Sequence, residues 1–415
     1  MSRSSLPVLI IVGGTDPVFR RYCVEQAAAA YPIVLIDAKP PTWPQGLVVD
    51  HEIADIRDPA AVIAAGLALA ERHAIAGVVT WDEYALVPTA ELVACLGLPG
   101  NTVASMNACR DKATSRRLFA EHGVPSAGST RVDTLAQATA AAHRTGFPVV
   151  LKPSSHAGSI GVIRVDRPEE LSAAWEFAGA GAGEQGPEGC GVLVEEYLDG
   201  PEISVECVTQ HGVTTAVAVT RKEVAFAPYF EEVGHTVTAD DPLLPEAAPV
   251  AVQAVRALGV TDGVQHVEMR LTVSGPRIIE VNARIGGDLI GTLVRLATGL
   301  DLPRIAADLA CGKIPDLAPT AHSTAAIEVL YPPAGGTLTA CHFPVEPGPQ
   351  HPWLHQVAWL RDVGDRVALP PEGDLDSARI GLFIVTADSP ADARSRLTAL
   401  SNQLTLTVAG PPATA

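Results

Sequence analysis

Three apolar runs of strand length mark the start of the chain: LPVLIIVGG (6–14), IVLIDAK (33–39) and IAGVVTWDE (75–83). Between them, VFRRYCVEQAAAAY (18–31) and PAAVIAAGLALAERH (59–73) carry apolar residues at helical spacing. Strands apolar on both faces that alternate with helices predict a parallel, doubly wound sheet. From Met106 the texture changes. ACRDKATSRRLFAEHGV (108–124) reads as a basic helix and LAQATAAAHRTG (135–146) as an amphipathic one. FPVVLKPSSHAGSIGVIRV (147–165) reads as two strands joined by a Ser/Gly/His loop. GAGAGEQGPEGCG (179–191) has no periodicity and is expected to be a flexible insertion. GVLVEEYLDGPEISVECVTQHGVTTAVAVTRKE (191–223) predicts a strand, a short connection and a β-meander. Helices are expected over 245–259, 291–299 and 303–312. Beyond a linker at Pro315–Thr324, strands at 325–331 and 380–386 and a helix at 391–400 predict a mixed α+β region. The final AGPPATA is expected to be unstructured.

The most informative pattern is GVQHVEMRLTVSGPRIIEVNARIGGD (263–288). Two period-2 runs flank Ser274-Gly275-Pro276, as in a β-hairpin. Pairing Val273 with Arg277 sets Glu268 opposite Asn282 and His266 opposite Arg284. One face then carries His266, Glu268, Arg270, Glu280, Asn282 and Arg284. The other carries Val267, Met269, Leu271, Ile279, Val281, Ala283 and Ile285. The polar face gathers two carboxylates and an amide with side-chain origins about 4.5–8 Å apart. Hard oxygen donors at that separation suit Mg²⁺, which completes its shell with water and phosphate oxygens. An exposed row of Glu–Arg cross-strand pairs fits the same face. The Gly286-Gly287-Asp288 step tips the reading towards a ligand, because it marks a backbone that something approaches closely.

Composition narrows the partners. At 415 residues the chain has length for two or three domains, and with aromatics at 5% its cores are built from Ala, Val, Leu and Ile. A formal net charge of −18 argues against nucleic acid or an anionic membrane surface as partner. An anionic substrate therefore needs a local cationic pocket. No apolar stretch approaches the roughly 18 residues of a spanning helix, and the N-terminal apolar run reads as a strand rather than an export signal. Seven scattered cysteines without CxxC predict free thiols in a reducing cytoplasm and no zinc site.

Cations stand where such a pocket needs them. Lys152 ends an apolar strand just before Ser154, Ser155, His156, Gly158 and Ser159, a loop whose backbone N–H groups can form an anion-binding concavity. Lys112 opens a helix as a second positive charge. Glu195, Glu196, Tyr197 and Leu198 form an acidic step between apolar runs, with Glu202 shortly after. Asp82-Glu83 ends a strand, where open α/β sheets bind ligands and where helix caps also occur.

Taken in order, these segments resemble the ATP-grasp superfamily over about residues 106–312. Within it the chain is similar to carboxylate–amine ligases of the L-amino acid ligase and carnosine synthase type, with PYFEEVGHTV (228–237) and RIGLFIVTADSPADARSRL (379–397) in support. The resemblance implies an α/β (α+β) ATP-grasp fold. It implies a doubly wound pre-ATP-grasp domain (1–105), an ATP-grasp domain (106–314) and a C-terminal α+β domain (315–415). The middle domain would divide into a lid-bearing part (106–193) and a metal-binding part (194–314). ATP would be held by Lys112, Lys152 and the lid loop, its adenine by Glu195–Leu198 and its ribose by Glu202. Glu268, Glu280 and Asn282 would bind Mg²⁺, with Mn²⁺ as a substitute. Arg284 and Lys152 would be catalytic, and Arg284, Gly287, His235 and Glu83 would face the substrates. The reaction implied joins an amino acid or related small-molecule carboxylate to an amine or amino acid through an acyl phosphate. A homodimer in the cytoplasm, with no nucleic-acid or membrane partner, completes the expectation. A purine-pathway or carboxylase-like ligase, a small-molecule kinase and a nucleotide-binding regulator are the alternatives.

Overall fold

The computed structural model describes residues 7–43, 46–183 and 191–410. The terminal segments 1–6 and 411–415 and the middle of the glycine-rich insertion lie outside the described residues; the helix before that insertion runs on to Gly183. The first sheet comprises β1 (Val8–Val12), β2 (Ile33–Asp37), β3 (Val48–Ile53) and β4 (Ile75–Thr80), parallel and in the order β3-β2-β1-β4. β1 and β2 are buried along almost their whole length, as their unbroken apolar runs require. β3 was not foreseen, because an edge strand with the sequence VVDHEI offers only alternating, half-exposed positions. The helix Pro59–Arg72 starts where expected, with the Asp58 carboxylate accepting from Ala60 N–H and proline in its first turn.

The expected basic helix over 108–124 is instead two helices, Val103–Arg110 and Lys112–Glu121. Asp111 is extended (φ −95°, ψ 104°) and ends the first helix, while its carboxylate caps the second at Ala113 N–H. A cap competes better than continuation here, and the break places Lys112 on the first turn, buried. Next comes a four-stranded antiparallel sheet of β5 (Ser129–Val132), β6 (Val149–Pro153), β7 (Ile163–Val165) and β8 (Val192–Glu196), in the order β5-β8-β6-β7. Its apolar face, Val149, Leu151, Val165, Val192 and Val194, packs on helices 135–145 and 171–183.

The largest sheet has eight antiparallel strands. It begins with β9 (Glu202–Gln210), β10 (Val213–Ala225), β11 (Glu231–Thr238), β12 (Gly263–Thr272), β13 (Gly275–Asn282) and β14 (Thr324–Leu330). The C-terminal strands are β15 (Gly336–His342), β16 (Leu354–Trp359), β17 (Arg366–Val367), β18 (Gly381–Ala387) and β19 (Thr405–Ala409). The order is β13-β12-β9-β10-β11-β14-β18-β16, so strands from the C-terminal region extend the central sheet; β17, β15 and β19 form a separate small one. Helix Leu244–Ala257 covers one face around Val205, Val219, Val267 and Val281. Helices Ile290–Thr298 and Leu302–Ala310 cover the other and pack against helix Arg21–Ala28 of the first unit.

The hairpin β12–β13 forms with a different register from the expected one. Thr272 pairs with Gly275, Glu268 lies opposite Glu280, and His266 lies opposite Asn282. The turn is thus Val273-Ser274, two residues long. A bulge beyond Glu268 leaves Ile279 without a partner, because Met269 pairs with Ile278. Ile278, not Ile279, therefore enters the core with Val267, Met269 and Val281.

Candidate active site

The first sheet, the lid sheet and the central sheet enclose one cavity of about 810 Å³, the size of a pocket for a nucleotide-sized ligand. From the central sheet it receives Glu268, Glu280, Asn282 and the displaced Ile279, followed by Arg284, Gly287 and Asp288. From the lid side come Lys152, His156, Gly158 and Ser159, then Glu195, Glu196, Tyr197 and Leu198, with Glu202 beside them. Lys112 and Glu83 line it as well. Of the residues expected at the site, Ser154, Ser155 and His235 do not line the cavity. The two serines are buried at the start of the lid loop, and His235 lies behind Asp288. The Glu195 carboxylate does not face outward: it is buried between Lys152 (2.6 Å) and Arg116 (2.9 Å). Burial opposes its charge, yet these two cations outweigh it and push its pKa down to about 2.

The cations of the cavity rest on its carboxylates. Lys112 Nζ lies 2.9 Å from Glu280 and donates to the His156 carbonyl at 2.6 Å. Lys222, at the end of the meander, does not line the cavity but is buried against three carboxylates that do: Glu232 (2.6 Å), Glu268 (3.0 Å) and Glu202 (3.7 Å). Burial disfavours its ammonium, but the three carboxylates hold its pKa well above the ordinary lysine value. The same residue hides in the sequence, since Arg-Lys-Glu at a strand end looks like a solvated charge run. Arg284 is braced by Glu83 (2.7 Å), which also takes Arg110 (3.1 Å). Burial works against ionisation of Glu83, but Arg284 and Arg110 keep its pKa below the usual carboxylate range.

A second tier stands behind the carboxylate face. His266 Nδ1 lies 3.0 Å from both oxygens of the fully buried Glu206, and its Nε2 lies 3.1 Å from Glu268. Ser204 and Thr220 hydroxyls donate to Glu206 at 2.8 and 3.1 Å. Burial alone would discharge the imidazole, but Glu206 raises its pKa to about 9, so Glu268 is held from behind by a cation. A Cβ on Gly286 would come within 2.8 Å of His266 Nδ1, which explains the first glycine of the Gly-Gly step. Glu206 carried no sequence-based expectation, although an acid flanked by Val205 and Cys207 inside a strand was there to be seen. Further along, Arg379 grips Asp288 with two nitrogens (2.6 and 2.9 Å), and Asp288 meets His235 Nε2 at 3.2 Å. Glu232, His235 and Asp288 could together face one metal ion, but Lys222 and Arg379 already supply positive charge there.

The donor set Glu268, Glu280 and Asn282 fits Mg²⁺: two carboxylates paired across adjacent strands and an amide oxygen, all opening into one cavity wide enough for a triphosphate.

Comparison with known proteins places this arrangement. Residues 145–292 match the ATP-grasp domain family. A solved L-amino acid ligase from Bacillus licheniformis superposes on 97% of this chain and 99% of its own length, with a TM-score of 0.81 at 22% identity. Residues 145–292 are an ATP-grasp domain, and the chain has the ATP-grasp fold. Human carnosine synthase 1 is 31% identical over 260 residues, 57% of this chain and 31% of its own length. The alanine–anticapsin ligase of Bacillus subtilis is 28% identical over 272 residues, 60% of this chain and 57% of its own. The chain thus spans about half or less of the length of the curated relatives it matches. No helix among the described residues is long and apolar enough to cross a membrane, and the six described cysteines are free thiols.

Proposed function

We propose that the protein is an ATP- and Mg²⁺-dependent ligase that joins an amino acid carboxylate to an amine through an acyl phosphate, in the cytoplasm. One observation carries the reading: the Glu268/Glu280/Asn282 face opens beside Arg284 into a cavity lined by Lys112 and Lys152, with the buried Lys222 behind Glu268. Phosphoryl transfer asks a protein mainly for positioning and charge neutralisation, and these residues supply both. Mg²⁺, when bound, neutralises phosphate charge against Glu268, Glu280 and Asn282. Lys112 and Lys152 hold phosphate oxygens, and Arg284, fixed by Glu83, faces the carboxylate whose oxygen takes the γ-phosphoryl group as the bond from phosphorus to ADP breaks and ADP leaves with the electron pair. The acceptor nitrogen then attacks the carbonyl carbon. The C–N bond forms, the C–O bond to phosphorus breaks, inorganic phosphate leaves with the electron pair, and the nitrogen loses a proton. The lid loop 154–161 keeps water from the acyl phosphate.

The test is phosphate release from ATP across a matrix of amino-acid pairs, with product masses read in parallel. Release that needs both an acid and an amine, with a product lighter than their sum by one water, supports the reading. A stable phosphorylated compound made without the amine would overturn it in favour of a kinase.

A further inference from the structure

We propose that Arg361 is the specificity-determining residue that reads the free carboxylate of the amine acceptor. The inference rests on the ligase reading and starts from a census of charge. Among the cations lining the cavity, Lys112, Lys152, Arg116, Arg270, Arg284 and Arg379 each hold a carboxylate of the protein itself. Arg20 is spent on the Gly286 carbonyl at 3.1 Å. Arg361 lines the same cavity, forms no ion pair with a described residue, and its buried Nε has no hydrogen-bond partner. A guanidinium fork in a cavity, with a buried donor unsatisfied, matches a planar carboxylate that brings two acceptor oxygens.

Its position assigns it to the acceptor rather than to the donor carboxylate. The donor carboxylate must reach Arg284 and the metal face. Arg361 instead leaves the end of β16, where the amides of Leu360 and Arg361 both bond the Ile380 carbonyl (2.7 and 3.3 Å). That carbonyl is next in sequence to Arg379, whose head is fixed on Asp288. The C-terminal strands therefore form a separate wall of the cavity, with one arginine locked to the protein and one open to a ligand. An amine without a carboxylate leaves the Arg361 donors unsatisfied, so such amines are discriminated against.

The experiment compares wild type, Arg361→Gln and Arg361→Lys, once the amino-acid matrix has supplied a working pair. Each is assayed with the acceptor amino acid, with its carboxamide, and with hydroxylamine, which traps the acyl phosphate as a hydroxamate and reports the donor half on its own. Wild type is expected to prefer the amino acid over its amide by about 10- to 100-fold in kcat/KM, the range for a charged hydrogen bond. R361Q should bring the two acceptors to near parity by raising KM for the amino acid rather than lowering kcat, and R361K should recover part of the preference. A merely structural role would lower both acceptors together. Discrimination that survives in R361Q overturns the proposal, as does loss of hydroxamate in step with loss of dipeptide. If wild type forms no hydroxamate with any carboxylate, the ligase reading itself has failed and the assignment falls with it.

Discussion

At the scale of single residues, the site works through side chains whose partners are already chosen. Arg284 is held at 2.7 Å by Glu83, a residue of the first unit, so its guanidinium is fixed in place. Arg284→Gln is expected to lower ligation about 10²- to 10³-fold, the range for removal of a preorganised transition-state donor, while ATP affinity measured by calorimetry stays nearly constant. His266 acts one layer back. His266→Asn leaves Glu268 without its rear support, and a supporting residue of this kind changes metal affinity about 10- to 100-fold. Titration of Mn²⁺–nucleotide followed by electron paramagnetic resonance should show that loss, with thermal melting as the check on folding. Lys112, Lys152 and Arg284 were legible because each sits at a strand or helix end beside small or acidic residues. Lys222, Glu206 and Arg379 were not. Their roles come from strands brought together across 46, 60 and 91 residues to Glu268, His266 and Asp288, and no local pattern encodes that.

Among the elements, the hairpin and the lid matter most. The hairpin was legible as a pattern but not as a register, because a bulge costs nothing in alternation until its position is known. The shared face survived because Glu268 and Glu280 moved from diagonal to direct partners. The lid loop is docked through His156, whose Nδ1 accepts from Tyr84 Oη (3.1 Å) and from Ala157 N–H (2.9 Å). Burial, and after it the Lys112 ammonium, pushes its pKa down to about 4. A released imidazole titrates near about 6.5. Below that value the released lid gains a proton that the docked lid refuses, so docking weakens from about pH 6.5 to about pH 4 and is insensitive above that window. Limited proteolysis within 154–161 should accelerate across that range. Tyr84→Phe should show faster cleavage at neutral pH and a smaller acid effect.

For the whole molecule, the central sheet is the decisive feature. In the parallel first unit and the lid, β1, β2, β4, β6 and β8 were legible because they are contiguous apolar runs, whereas the short or half-exposed β3 and β5 were not. The continuity of the eight-stranded sheet was not, since β14, β18 and β16 carry no mark that tells a separate domain from an extension. β14 pairs with β11 over five residues, and Ala325, Ile327, Leu382 and Ile384 share a core with helices 290–298 and 302–310. A chain ending at residue 314 is therefore expected to lose cooperative folding: it uncovers the β11 edge and the part of that core that these four side chains fill. Size-exclusion chromatography and melting of the shortened chain check this, and a soluble monomer with an intact transition would contradict it.

The pairing of Lys112 with Glu280 and of Lys222 with Glu268 has a consequence for how reactants enter. A divalent cation arriving alone must evict an ammonium that has nowhere to go, and a bare triphosphate must strip a lysine from a carboxylate that is then left buried and uncompensated. The metal–nucleotide complex does neither, because each of its charges relieves the partner that the other displaces. Under the proposed function, admission is thus by exchange, with the number of opposite-charge contacts conserved, and the complex is favoured over either of its halves.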